Sequence, residues 1–212
     1  MAKLGYQKLT AGLIGAWFVL SLIAAGLHLL ATDPNRPPLG LGLFVAVPIS
    51  LFLIWFAASK DFRQFLLDLN PRTLTLIHSW RLVGFSFLVL ASYGILPRLF
   101  ALPAGWGDIT IGATAPFVAA ALVNPRRRNS FLLWQVLGIL DLVTAIGLGT
   151  TARLIEPTSV PNNAMVVLPL SLIPTFAVPL LLMLHLISIA QARHWPKPQH
   201  NDMPNAIPSS AV

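Results

Sequence analysis

The chain contains no cysteine. Disulfides, thiol catalysis and thiolate metal sites are therefore excluded, and cysteine usage says nothing about redox compartment. Charge is scarce as well. Only 10% of residues are charged, where soluble domains carry roughly 25%. Motifs of catalysis are missing. There is no phosphate-binding P-loop, no Gly-x-Ser-x-Gly elbow, no His-Glu-x-x-His, no paired aspartate motif for prenyl transfer and no His-rich cluster of the membrane-desaturase type. Ser79, Ser86 and Ser171 have no local context that marks a nucleophile.

What is present is apolar. Hydrophobic residues make up 56% of 212, and the mean hydropathy is +0.75. A soluble fold of this size has too little interior to hide that much apolar surface. Bilayer hydrocarbon removes the limit. Apolar runs occur at approximately 9–31, 39–59, 75–97, 103–123, 130–150 and 165–191. Each is close to the ~20 residues that cross ~30 Å of hydrocarbon. The expectation is an all-α polytopic helical bundle with about six transmembrane helices, forming one domain over 1–195 and leaving no room for a soluble catalytic domain. The first run is longer than a signal-peptide core of roughly 7–15 residues, so it reads as a retained helix. The run at 103–123 opens with Pro103, Gly105, Gly107 and Asp108, and an irregular or re-entrant first turn is expected there.

The formal net charge is +7. Its basic residues are scattered through the connections, which argues against a nucleic-acid partner and for the cytoplasmic bias of membrane proteins. With the N-terminus inside, ten basic residues from Lys3 to Lys197 fall on the inner side and only Arg36, Arg98 and Arg153 on the outer side. Both ends are thus expected in the cytoplasm. The outer connections Asp33–Pro38 and Glu156–Asn163 carry turn chemistry. In segment 60–73, Phe62, Phe65, Leu66 and Leu69 fall at i, i+3, i+4 and i+7, the pattern of a short amphipathic helix on the inner membrane face. The tail 196–212, rich in Pro, Asn and Ser, is expected to be disordered. Residues 1–97 and 103–191 show no persuasive internal repeat.

Ionisable groups within spans single out candidate sites, because each costs roughly 2.5–3.5 kcal/mol at mid-bilayer on insertion scales. Asp141 stands near the centre of the fifth run. It reads either as a proton or cation site or as half of a structural ion pair. Arg81 lies some way into the third run, where it would snorkel inward or reach Asp141. His78 and His185 share the inner half with Arg81. They would relay protons, bond to neighbours, or ligate a b-type haem between them. No other feature indicates a cofactor. Asp108, near the outer end of the fourth run, suits the positive end of the helix dipole, or forms an outer-mouth charge beside Arg98.

Backbone breakers are the second signal. Pro169, Pro174 and Pro179 recur in the last run, with Pro48 and Pro116 elsewhere. Each proline frees a carbonyl that lipid cannot satisfy. Freed carbonyls accompany internal cavities in transporters, although kinked helices also occur in proteins that transport nothing. Gly12 and Ala16, and Ala11 and Gly15, are spaced for close helix contact, leaving a homo-oligomer or a membrane-protein partner open. Trp17, Trp55, Trp80, Trp106 and Trp134 read as interfacial anchors.

The stretch His78-Ser79-Trp80-Arg81, Leu96-Pro97, Phe100 through Asp108, and Ala115-Pro116 resembles a group of small bacterial multi-span membrane proteins that are uncharacterised. The resemblance implies a bacterial inner-membrane location and carries no activity with it. Three functional readings follow. The first is a small-molecule or ion permease with Asp141, Arg81, His185, His78 and Asp108 as its polar site. The second is a non-catalytic membrane subunit or assembly factor, and the third is a b-type haem electron-transfer protein.

Overall fold

The computed structural model describes residues 2–30, 39–155 and 164–196. Within them the fold is all α, with no strand. Helix α1 spans Ala2–Gly26 and α2 spans Leu39–Ala58. Two short helices, α3 (Lys60–Leu67) and α4 (Pro71–Ile77), lead into a 3₁₀ segment, His78–Gly84, and then α5 (Phe85–Ser92). Helix α6 is Arg98–Ala121 and α7 is Arg128–Ile155. A π-helical segment, Ile173–Ala177, runs into α8 (Val178–Arg193). The Asp33–Pro38 and Glu156–Asn163 turns and the tail beyond 196 lie outside the described residues.

Five segments are long and apolar enough to cross a membrane: Leu4–Gly26, Leu39–Ala58, Pro71–Ser92, Pro125–Ala152 and Ile173–Arg193. Their outward faces are large and apolar. Leu20, Leu51, Ile54, Phe85 and Leu140 are each more than half exposed, which water would not tolerate in so continuous a belt. α6 is long enough but less apolar, owing to its glycines, threonines and Asp108. It lies centrally between the 78–84 segment, α5 and α7, with ten buried residues. A helix shielded by its neighbours has less need of an oily surface.

Local chemistry sets the ends. Asn70 caps α4 through hydrogen bonds accepted from Arg72 and Thr73 N–H, with Pro71 at the first position. The third span therefore begins four residues earlier than its apolar run, and Arg81 stands at mid-length. α5 closes at Gly94, whose φ of 70° is the left-handed conformation of a terminating glycine. After a bend at Leu96, the extended Pro97 leads into α6 at Arg98. The expected irregular turn at 103–108 is absent: the helix is continuous through Pro103 and Asp108, although Pro103, its sixth residue, has no N–H to offer the carbonyl of Leu99. α2 likewise continues through Pro48.

The amphipathic segment also differs from expectation. Ser59 caps α3, which ends at Leu67 rather than 73. Its apolar face meets protein instead of lipid. Phe62, Phe65 and Leu66 are buried with Leu181, Leu184 and Ile187 of α8, and Phe62 stacks on Trp55 at 3.9 Å. Gln191 donates to the carbonyls of Leu66, Leu67 and Leu69, satisfying acceptors that a short helix leaves open.

The last run is not one uniform helix. Residues 164–172 are mostly turns, and the regular α-helix begins only at Val178. Pro179 has no N–H to offer the carbonyl of Thr175. The indole Nε1 of Trp17 donates to that oxygen at 3.1 Å. Trp17 is therefore a partner for a proline-freed carbonyl rather than an interfacial anchor. Gly12 and Gly15 of α1 serve no close contact among the described residues, since a Cβ at either would meet nothing within 4 Å.

Candidate functional site

The site starts from glycine. A Cβ at Gly84 would lie 2.5 Å from the Cβ of Asp108 and 2.9 Å from the carbonyl oxygen of Gly105, and one at Gly112 would lie 2.8 Å from the backbone nitrogen of Leu82. Both are closer than side chains allow, so glycine there lets the 78–84 segment and α6 touch backbone to backbone. That contact aims Arg81 across α6 towards α7 and α8.

The Arg81 side chain is fully buried. Its Nε donates to Asp108 Oδ1 at 2.7 Å, and its Nη2 donates to Asp141 Oδ2. Nη1 donates to the Gly138 carbonyl at 3.3 Å and approaches His185 Nε2 at 3.4 Å. The guanidinium fork, with donors in fixed directions, suits this division between two helices. Asp141 is seated because α6 has Gly107 opposite it, where any side chain would occupy the position of the carboxylate. Gly138 makes the same room for the His185 ring.

Arginine cannot accept a hydrogen bond, so His185 Nε2 is the acceptor and Nδ1 carries the proton. Nδ1 then donates to Gln135 Oε1 at 2.5 Å. The ring is thereby the neutral tautomer. His78 stacks on it, with centroids 3.9 Å apart and planes 23° apart, and meets Trp134 edge-on at 5.7 Å. Trp134 is buried and donates to Thr114 Oγ1 at 2.9 Å. It belongs to the site's wall and is not an interfacial anchor. Both ring nitrogens of His78 are buried without a partner among the described residues. A charged ring there would hold two N–H groups with no acceptor.

All five candidate residues thus come together. Three expectations change. Asp108 is near the middle of α6, where it cannot cap the helix, and its partner is Arg81 rather than Arg98. Arg81 does not snorkel inward: the third span starts four residues before its apolar run, and Arg81, at mid-length, reaches Asp141 directly. The haem arrangement does not fit. Axial imidazoles point at the iron from opposite faces of a macrocycle, whereas these two rings lie face to face at 3.9 Å with no gap for one. No group of three or more His, Asp or Glu suited to a metal ion occurs among the described residues.

Sequence reasoning missed Gln135, a buried neutral amide with no charge to mark it, and the glycines. Gly84 and Gly105 face each other, Gly112 faces the backbone of Arg81 and Leu82, and Gly107 faces Asp141, roles that only the helix pairing reveals.

A cavity of about 280 Å³ borders the cluster. Val45, Phe87, Phe100, Leu142, Ile146 and Ile173 are among its apolar walls, and Asp108 is the one ionisable residue lining it among the described residues. It extends from Asp108 towards Leu96 and Pro97 at the start of α6. The π-helical segment contributes Ile173 and Pro174. Such bulges recur at functional positions.

Residues 38–193 match a family described as a domain of unknown function, DUF8737. The match takes in α2 through α8, and the chain belongs to that family. No curated protein and no solved structure matches it.

Proposed function

We propose that this family member is a small membrane permease whose proton- or cation-binding site is the Arg81–Asp108–Asp141 cluster. The observation that carries the proposal is a ratio. Two carboxylates from two helices share one buried guanidinium, beside a neutral His185. With both carboxylates ionised the cluster has one negative charge in excess. In a low-dielectric interior that excess calls for one proton or one cation. His78 and His185 extend the polar path from the cluster. A buried subunit interface would not need the adjoining cavity; a binding site would.

The finer topology belongs to the same proposal. Six crossings, with α6 as the sixth, and both ends in the cytoplasm are supported by the ten-to-three distribution of basic residues, and a bacterial membrane is what the family resemblance implies. In that orientation the cavity faces outward from Asp108.

The test is proteoliposome flux under an imposed pH gradient. Asp141→Asn leaves Arg81 and Asp108 in one-to-one pairing, so the bundle keeps its neutral core, while the excess charge is gone. Proton-linked flux is expected to fall to the level of empty liposomes. Flux equal to that of the native chain would remove Asp141 from the mechanism.

A further inference from the structure

We infer that the cavity takes a lipophilic organic monocation of roughly ten to fifteen non-hydrogen atoms, with its charge on Asp108. The inference rests on the permease reading for its purpose but on separate observations for its chemistry.

The cavity walls come from α2, α5, α6, α7 and the π-helical segment, and their lining is overwhelmingly aliphatic and aromatic. A free inorganic ion would gain nothing from such walls and would lose its hydration there. An apolar body would gain from them. The volume, about 280 Å³, lies just below the roughly 300–1,000 Å³ typical of pockets for drug-sized ligands, which sets a small size. Charge sets the sign. Asp108 gives Oδ1 to Arg81, and its other oxygen has no hydrogen-bond partner among the described residues. Of the charged and titratable groups around it, Arg81 is shared with Asp141. His185 is neutral by its hydrogen bonds, and His78 has no acceptor for a second ring proton. The wall thus presents net negative charge to an oily space, the complement of an amine or quaternary ammonium with an apolar body. An anion would meet a carboxylate, and a neutral acyl chain would leave the charge uncompensated.

The test uses the full chain in nanodiscs, with benzyltrimethylammonium as the probe and neopentylbenzene, its carbon isostere, as the control. Equilibrium dialysis reads both. The cation should bind saturably, one per chain, and more tightly than the isostere by roughly tenfold or more, the scale of one close charge pair. Asp108→Asn should abolish that preference. A second variant guards against misfolding. A Cβ at Gly149, on the cavity wall, meets only Phe100 at 3.5 Å, so Gly149→Leu fills the space without touching the ionic cluster, and it should block both ligands. Equal affinity for probe and isostere, no saturable binding, or binding that survives Gly149→Leu would each overturn the inference. Loss of flux in Asp141→Asn without cation binding would sink this inference and leave the permease reading standing. Cation binding with flux indifferent to Asp141→Asn would do the reverse.

Discussion

Replacing Arg81 is the sharpest test of the central cluster. In Arg81→Met the apolar stem is conserved and the guanidinium is lost, together with its contacts to Asp108, Asp141, the Gly138 carbonyl and His185. Two carboxylates are left in a desolvated interior facing each other. Removing one partner of a buried ion pair costs roughly 3–5 kcal/mol. The two carboxylates can share one proton, so the loss should stay within that range rather than double it. About 4 kcal/mol corresponds to a nearly thousandfold shift towards the unfolded ensemble. Steric-trap unfolding in bicelles reads this directly. The companion variant Arg81→Met with Asp108→Asn and Asp141→Asn removes every charge at once. It should recover most of the loss, ending within ~2 kcal/mol of the native chain, because neutral isosteres carry no uncompensated charge. The reasoning is refuted if the single variant is as stable as the native chain, or if the triple variant is no better than the single one.

Two further predictions follow from contacts described above. Gly107→Ala should destabilise the chain by roughly 1–3 kcal/mol in the same unfolding assay, the usual cost of overpacking, because its methyl group competes with the Asp141 carboxylate; stabilisation by the ~1 kcal/mol that alanine gains over glycine in an open helix would show that Asp141 is not held there. Trp17→Phe should cost ~1–3 kcal/mol by leaving the Thr175 carbonyl without its donor. That cost should shrink in a Pro179→Ala background, where residue 179 regains an N–H, so a double-mutant cycle that shows simple additivity would dismiss the link.

The sequence made the charged half of the site legible. Arg81, Asp141, His78 and His185 stand out because an ionisable side chain in an apolar run is costly and so needs a reason. Asp108 stood out too, but its place in the helix was misjudged. Pro103 and two glycines have the pattern of a helix start, whereas α6 starts at Arg98, five residues earlier, after the extended Pro97. The partner followed the register: from mid-helix, Asp108 faces Arg81. Trp17 and Trp134 illustrate a different limit. An indole is equally suited to an interface and to a buried carbonyl or hydroxyl, and only the packing of α1 on the π-helical segment, or of α7 on α6, decides between them. The amphipathic period in 60–73 marks an apolar face but points to the membrane surface as its cover, whereas the helix ends at Leu67 and packs on α8; periodicity cannot separate the two, since lipid and α8 are both apolar.

The glycine contact between the 78–84 segment and α6 also constrains how this bundle can move. Where two backbones touch without side chains between them, neither can slide or tilt on its own, so the pair acts as a strut. Arg81 and Asp108 ride on that strut together. A cycle that opened the centre first to one side and then to the other would therefore be driven by α7 and α8 rocking against it, bringing Asp141 and His185 up to a stationary guanidinium and carrying them away again.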